Sequence, residues 1–165
     1  MKIALCPGTY DPITEGHKDV IVRCSKIFDK VIAAVSNNTR KKSLFPLDRR
    51  VNYVERVLKE FKNIEVVSFE GLLVDIAKIH NVKVIVKGLR AISDFEYEFQ
   101  MAQINKKLNP ELETMFLMTN PKFAYLSSSA VKEVARYNGC ITGLVPKEIE
   151  EDIILSFKKR NFNLN

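Results

Sequence analysis

The chain has 165 residues, of which 46% are hydrophobic and 28% are charged. This balance is typical of a folded globular domain, so it excludes a disordered chain and predicts one domain over residues 1–165. No segment reaches the roughly 20 apolar residues of a membrane span, and the first residues lack the apolar stretch of a signal peptide. We therefore expect a soluble, cytoplasmic protein without a membrane partner.

The formal net charge of +6 favours an anionic partner, either nucleic acid or a small phosphorylated substrate. The three cysteines, Cys6, Cys24 and Cys140, are odd in number and show no CxxC spacing. A disulfide framework and a zinc site are therefore not expected. Cys6 and Cys24 lie in apolar patterns, which predicts that both are small core residues.

Short β-branched runs alternate with stretches of helical periodicity along the whole chain. This alternation is typical of βαβ units in a parallel sheet. It predicts an α/β fold with a Rossmann-like, doubly wound, five-stranded parallel sheet. The predicted strands are Lys2 to Cys6, Val31 to Val35, Ile64 to Phe69, Val82 to Val86 and Thr114 to Met118.

Six helices are expected between and after these strands, because apolar residues recur there at helical spacing. The apolar positions are, in chain order, Val20, Ile21, Cys24, Ile27 and Phe28; Val51, Val54, Leu58 and Phe61; Leu73, Ile76 and Ala77; Phe95, Phe99, Ala102 and Leu108; Val131, Val134 and Ala135; Ile149, Ile153, Ile154 and Phe157. Pro110 ends the fourth helix, Gly139 caps the fifth, and Pro146 precedes the last of the C-terminal helices.

The loop after the first strand, CPGTYDPITEGH from Cys6 to His17, contains two prolines and two glycines. Glycine lets backbone approach a ligand closely, and proline fixes the chain path. A helix that begins near Gly16 directs its free N–H groups at the strand ends, where they stabilise a phosphate. We expect His17 to donate a hydrogen bond to a phosphoryl oxygen. A tight turn with a surface histidine is the alternative interpretation.

Cations and hydroxyls follow three further strands, at the edge of a parallel sheet where ligands bind. They are Arg40, Lys41 and Lys42 after strand two, Lys87 and Arg90 around Gly88 after strand four, and Ser127, Ser128, Ser129 and Lys132 after strand five. Solvated surface charge, a charged turn and an N-cap serine are the alternative explanations. Together these loops predict two phosphate-binding positions at one edge of the sheet.

The motif from Gly8 to His17 indicates which class of nucleotide-binding enzyme the chain resembles. Neither GxGxxG nor GxxxxGK[ST] occurs, so hydride transfer and the usual kinase or GTPase mechanism lose their support. GTYDP followed by TEGH resembles the motif of the nucleotidylyltransferase superfamily. RAISDFEYEFQMA and YLSSSAVKEVAR are similar to the bacterial phosphopantetheine adenylyltransferase family, and the resemblance covers almost the whole chain. Thr14 favours this family, because relatives that use nicotinamide mononucleotide or cytidine nucleotides typically carry histidine there.

This resemblance implies transfer of AMP from ATP to 4′-phosphopantetheine with Mg²⁺, giving dephospho-coenzyme A and pyrophosphate. It implies catalytic roles for His17, as transition-state stabiliser, and for Lys41 and Arg90. The implied ATP-binding residues are Thr9, Tyr10, His17, Gly88, Leu89, Arg90, Glu98, Phe123, Ala124, Tyr125, Leu126, Ser127, Ser128 and Ser129. The implied acceptor-binding residues are Thr9, Lys41, Leu73 and Lys87. The resemblance also implies a homohexamer, and it leaves the metal ligands open.

Lys87 departs from the family pattern, because many members have arginine at this position. A lysine supplies charge but not a bidentate fork, so phosphate affinity is expected to be weaker or differently oriented.

Two other functions remain open at this point. One is adenylyl or cytidylyl transfer to a different acceptor on the same scaffold. The other is a nucleic-acid-binding module, which the net charge suggests. Acidic runs such as Glu148 to Asp152 argue against it, so no nucleic-acid partner is expected.

Overall fold

The structure is a computed structural model and describes residues 1–37 and 43–162. Five parallel strands form one sheet in the order β3-β2-β1-β4-β5. The strands are β1 Ile3–Gly8, β2 Lys30–Ser36, β3 Ile64–Phe69, β4 Val84–Leu89 and β5 Glu113–Met118. The predicted α/β fold with a five-stranded parallel sheet is confirmed.

Six helices and one short 3-10 turn connect and follow the strands in the described part of the chain. They are α1 Glu15–Ser25, α2 Leu47–Leu58, α3 Leu73–Ile79, α4 Ile92–Leu108, the turn Pro121–Phe123, α5 Ser128–Arg136 and α6 Lys147–Phe162. Among the described residues, none of these helices is long and apolar enough to cross a membrane.

The central strands are buried on both faces, which explains their continuous apolar sequence. Ala4 and Cys6 of β1 face a core completed by α1, α2, α5 and α6. Leu5 points to the opposite face, where α3 completes a second, smaller core. Helices therefore cover both faces of the sheet, as a doubly wound fold requires.

Four of the five strands differ in their bounds from the prediction. β2 gains one residue at each end and β5 begins one residue earlier, whereas β1 and β4 differ more. β1 continues to Gly8, so Pro7 and Gly8 belong to the strand and not to the turn. β4 begins two residues later than predicted, because Asn81 adopts a left-handed φ of 52° and the Val82 amide still bonds to the Ala77 carbonyl. It ends at Leu89, since its pairing with β5 continues to that residue.

The sheet opens at its carboxyl end between β1 and β4. These two strands pair only from Ala4↔Val84 to Leu5↔Ile85, whereas β4 stays paired with β5 as far as Leu89. Strand order also reverses between β1 and β4, and ligands bind at this topological switch in open parallel sheets. The fold thus places a cleft at the position where the sequence concentrates glycines and cations.

The fourth helix is packed less completely than its sequence suggests. Phe95, Phe99 and Leu108, three of its predicted apolar positions, remain 42%, 47% and 48% exposed. α4 packs against β4, β5 and α3, and Phe95 meets Phe116 of β5. Part of the apolar surface of α4 is therefore exposed in a single chain.

Candidate active site

A cleft of about 1380 Å³ begins where β1 and β4 separate. Its walls come from the ends of β1 and β4, the N-terminal turns of α1 and α5, and the inner side of α4. Predicted residues that line it are Thr9, Tyr10, His17, Leu73, Lys87, Gly88, Arg90, Glu98, Leu126, Ser127, Ser128 and Ser129. A cavity of this size is large enough for two small phosphorylated substrates.

The start of α1 differs from the expected position near Gly16. The helix begins at Glu15, with Thr14 as its N-cap, and His17 occupies the third helical position. The Thr14 hydroxyl accepts from the His17 amide at 3.3 Å, and the Thr14 amide donates to His17 Nδ1 at 3.1 Å. This reciprocal pair is a capping box with histidine in the place usually taken by glutamate or glutamine.

The capping box fixes the protonation state of the His17 ring. A backbone amide can only donate, so Nδ1 must accept, and the ring proton is on Nε2. No described residue accepts from Nε2, and His17 lines the cleft. Burial, together with the charges of Arg90 and Lys87, lowers the pKa of His17 from 6.5 to about 4. His17 therefore presents a neutral N–H donor to the cleft at physiological pH.

Tyr10 supports the His17 ring from the side. Its ring meets the imidazole edge to face, with centroids 5.2 Å apart, and its hydroxyl donates to the Cys6 carbonyl at 2.8 Å. Tyr10 is only 3% exposed and has a left-handed φ of 47°. The ring packs on Gly8, where an added Cβ would lie 2.8 Å from Tyr10 Cζ. Glycine at position 8 is therefore required for this packing.

Asp11 connects the turn to the segment before α2. Its carboxylate accepts from the amides of Leu44 and Phe45, at 2.8 and 2.9 Å. Lys132 of α5 donates to the same carboxylate at 2.9 Å. The sequence predicts Lys132 at a phosphate-binding position, whereas in the structure its ammonium group is paired with Asp11.

Lys87 of β4 and Arg90, which follows the strand, are also paired with carboxylates. Lys87 Nζ lies 3.2 Å from Glu98 Oε1. Arg90 holds Asp94 through two guanidinium bonds of 2.9 and 3.0 Å, and this lowers the pKa of the Asp94 carboxyl. Arg90 also donates to the Leu126 carbonyl at 2.7 Å, which ties α4 to the loop before α5. Both cations therefore line the cleft in fixed positions.

The three serines before and in α5 differ in their hydrogen bonds. Ser127 is the N-cap, as one serine was expected to be, and accepts from the Ala130 amide at 3.0 Å. The Ser128 hydroxyl donates to the Pro12 carbonyl at 2.7 Å and so ties α5 to the first turn. Ser129 lines the cleft, and no other described residue bonds to its hydroxyl.

Comparison with known proteins decides the family. A cytidylyltransferase-like family model matches residues 5–134. A phosphopantetheine adenylyltransferase from Clostridium botulinum (strain Alaska E43) is 56% identical over 93% of this chain and 97% of its own. Another, from Clostridium tetani, is 58% identical over 93% of this chain and 96% of its own. The chain belongs to the phosphopantetheine adenylyltransferase family.

A solved structure from Vibrio parahaemolyticus, described as a nicotinate-nucleotide adenylyltransferase, superimposes with a TM-score of 0.69. It covers 94% of this chain and 93% of its own, at 19% identity. This likeness shows the fold alone, and it agrees with the Rossmann-like sheet predicted from the sequence.

Several residues that the family pattern assigns to the site do not line the cleft. Leu89 is buried below it, and Phe123, Ala124 and Tyr125 lie outside its walls. Contacts of these four residues with ATP remain predictions. Lys41, together with Arg40 and Lys42, lies outside the described residues. Gly88 lines the cleft. Its lack of a side chain also allows α1 to pack closely on β4, because a Cβ there would lie 2.8 Å from Val20 Cγ2.

The structure adds cleft residues that the sequence did not assign to the site. Met101, Ala102, Asn105 and Leu108 of α4 line the cleft, as does Leu73 of α3. Asn105 is only 7% exposed, and its side chain makes no hydrogen bond within the described residues. Arg50 of α2 is buried and bonds to the Thr9 carbonyl. The only sequence signal for Arg50 was a charged residue beside the apolar positions of an amphipathic helix.

A resident metal site is not formed by the described residues, among which no three histidine, cysteine, aspartate or glutamate side chains cluster. Three of the carboxylates that line the cleft, Asp11, Asp94 and Glu98, are each paired with a cation of the chain. These paired carboxylates fit Mg²⁺ only as an ion that arrives bound to the substrate phosphates. Mg²⁺ is commonly held by phosphate oxygens and several water molecules.

Proposed function

We propose that this cleft transfers the adenylyl group of ATP to 4′-phosphopantetheine by direct in-line attack. A phosphate oxygen of the acceptor forms a bond to the α-phosphorus of ATP, and the bond from that phosphorus to the bridging oxygen of the β-phosphate breaks. The products are dephospho-coenzyme A and pyrophosphate. The observation that carries this proposal is the neutral Nε2–H donor of His17 at the switch point of the sheet.

No protein nucleophile or general base is needed for this reaction. The attacking phosphate is already anionic, so the protein contributes orientation and stabilisation of charge in the transition state. We assign His17 the hydrogen bond to the α-phosphoryl oxygen on which charge develops. A neutral donor suits this role, because it keeps its proton throughout the reaction.

ATP is assigned to the part of the cleft between β4 and α5. Arg90 and the first turns of α1 and α5 direct positive charge or free amides to that region. Glu98 holds Lys87 in place, which supports the role of Lys87 as a contact for the acceptor phosphate. Lys41 is proposed as a second cation for that phosphate, on the family pattern alone.

The pantetheine arm is assigned to the opposite part of the cleft. Leu73 and Met101 supply apolar contact there, and the unpaired side chain of Asn105 supplies a donor and an acceptor. The arm is an elongated chain with two amide groups, so a mainly apolar channel with one buried amide matches its chemistry.

Mg²⁺ enters this proposal as the counter-ion of ATP. Bound to the triphosphate, it neutralises part of the charge on the leaving pyrophosphate. A cytoplasmic location is consistent with these substrates, since both are phosphorylated metabolites produced inside the cell.

A homohexamer is proposed as the assembled form. α4 and the neighbouring strand β5 carry exposed apolar side chains, among them Ile92, Phe99, Met115 and Met118. Large exposed apolar patches are typical of interfaces, which supports an assembly that uses these two elements. Burial between identical chains would give these side chains a partner.

The product formed from ATP tests the reaction and its acceptor together. The protein is incubated with ATP, Mg²⁺ and a mixture of 4′-phosphopantetheine, nicotinamide mononucleotide and nicotinate mononucleotide, and the products are identified by mass spectrometry. We expect dephospho-coenzyme A and pyrophosphate as the new products. An adenylylated mononucleotide in place of dephospho-coenzyme A would assign the cleft to a different acceptor.

A further inference from the structure

Arg50 is a buried charge that forms no ion pair among the described residues. Its side chain is 1% exposed. The nearby Asp11 carboxylate is paired with Lys132, and it acts on Arg50 only through a Coulomb interaction that opposes the lowering of the Arg50 pKa by burial. Within the described residues, its three hydrogen bonds go to backbone carbonyls: Thr9 at 2.7 Å, Ser36 at 2.8 Å and Phe45 at 3.1 Å. A buried charge is costly to desolvate, and these carbonyls stabilise it in one position.

The three carbonyls belong to separate parts of the carboxyl edge of the sheet. Thr9 follows β1, Ser36 ends β2, and Phe45 precedes α2. Arg50 lies in the first turn of α2, so one side chain ties three segments together below the cleft. Of the three carbonyls, that of Thr9 belongs to the turn to which we assign ATP phosphate.

The bond to Thr9 fixes the orientation of the Thr9–Tyr10 peptide group. This peptide is trans, so its N–H points away from its C=O and therefore away from Arg50. The Tyr10 amide has no acceptor in residues 1–37 and 43–162, and both Thr9 and Tyr10 line the cleft. Tyr10 has φ of 47°, an uncommon conformation for this residue type, so the peptide plane needs external support.

We propose that Arg50 is a positioning residue, which holds and polarises the Thr9–Tyr10 peptide so that the Tyr10 amide donates to a phosphate of ATP. A cation bonded to the carbonyl withdraws electron density through the peptide and strengthens its N–H as a donor. The inference rests on the proposed location of ATP. It adds a specific donor and the residue that orients it.

The test compares Arg50→Met and Arg50→Lys with Arg49→Met in the full chain. Arg49 is the matched control, because it is the adjacent arginine but stacks on Phe45 and Tyr53 outside the cleft. Two quantities are measured for each variant: the kinetic constants for ATP, and the shift of the Tyr10 amide resonance in ¹H–¹⁵N spectra on addition of ATP with Mg²⁺.

In wild type and Arg49→Met we expect the Tyr10 amide proton to move downfield with ATP. In Arg50→Met we expect that shift to be lost, and kcat/KM for ATP to fall by about tenfold to a hundredfold, mainly through a higher KM, as expected for the loss of one hydrogen bond to a charged group. Arg50→Lys keeps a charge and at least one donor. Its kcat/KM for ATP and its Tyr10 shift should therefore lie between those of the wild type and those of Arg50→Met. A variant that is merely less stable would show fewer active molecules at an unchanged KM.

Two results would overturn the inference. One is a folded Arg50→Met protein with wild-type KM for ATP and an unchanged Tyr10 response. If Arg50→Met does not fold, Arg50→Lys is the decisive variant. A wild-type KM for ATP with the full Tyr10 response in Arg50→Lys would then overturn the inference. Absence of any Tyr10 response in the wild type would instead reject the proposed location of ATP, which separates the two claims.

Discussion

His17 serves the fold and the site through different atoms of one ring. Nδ1 completes the cap of α1, and this bond leaves the proton on Nε2, which faces the cleft. The sequence predicted His17 as a phosphate donor from its place after a glycine-rich turn. It could not predict the tautomer, because that depends on the Thr14 amide and on burial.

The depressed pKa of His17 gives a direct test at the residue scale. The folded value of about 4 is below the ordinary 6.5, so the unfolded chain binds this proton more tightly. The free energy of unfolding should therefore fall as the pH drops from about 6.5 toward 4, and His17 should have no such effect above that range. Titration of the His17 Cε1–H signal by NMR, assigned with His80→Gln, should give a midpoint near 4. A midpoint at or above 6 would contradict the described environment.

Gly8 is the second residue with a specific expectation. In Gly8→Ala the new Cβ would lie 2.8 Å from the buried Tyr10 ring, which must then move away from His17. We expect turnover to fall by roughly tenfold or more, because a small displacement of a catalytic group has such effects.

Gly139→Ala is the matched control for Gly8→Ala. Its Cβ would lie 2.7 Å from Val134 Cγ1, far from the cleft, so it should lower stability by a similar amount and leave turnover unchanged. Equal turnover losses in the two variants would show that Gly8 acts through stability alone.

At the scale of elements, the alternation of strands and helices was predictable because each strand is a short apolar run between amphipathic segments. The end of β4 was not predictable, since the pairing with β5 that keeps Lys87 and Gly88 in the strand depends on a segment 29 residues away. The ion pairs of Asp11 with Lys132 and of Lys87 with Glu98 were missed for the same reason.

The link between the first turn and α5 can be measured through Asp11. Asp11→Asn removes the charge that Lys132 faces and places an amide group where two backbone N–H groups donate. We expect a loss of about 2–4 kcal/mol in the free energy of unfolding from urea denaturation, since breaking a buried pair leaves its partner uncompensated.

Two comparisons make the Asp11 experiment decisive. Glu133→Gln breaks an exposed pair with Arg136 and should cost less than about 1 kcal/mol. Adding Lys132→Met to Asp11→Asn should recover part of the loss. An Asp11→Asn protein as stable as Glu133→Gln would refute the structural role of this carboxylate.

For the whole molecule, the sequence predicted the sheet and its helices, and it marked Phe95, Phe99 and Leu108 as apolar positions of α4 without showing what covers them. Apolar periodicity identifies a face to be buried without saying whether the same chain or another copy buries it. The half-exposed state of these three residues is therefore information that only the structure provides.

Assembly follows as a prediction at this scale. Light scattering after size exclusion should give the mass of six chains for the wild type. Phe99→Asp should dissociate this assembly, because it places a charge in the proposed interface. Tyr137→Asp, which changes an exposed aromatic residue beyond α5, should not. A monomeric wild type would contradict the proposed hexamer.

The role of the neutral N–H of His17 in the transition state of adenylyl transfer is tested most directly by His17→Ala. Turnover and ATP affinity are measured, with folding checked by circular dichroism. We expect kcat to fall by roughly two orders of magnitude or more while the Kd for ATP changes little, because the contact acts mainly in the transition state. A folded His17→Ala protein with near-normal kcat would contradict this role.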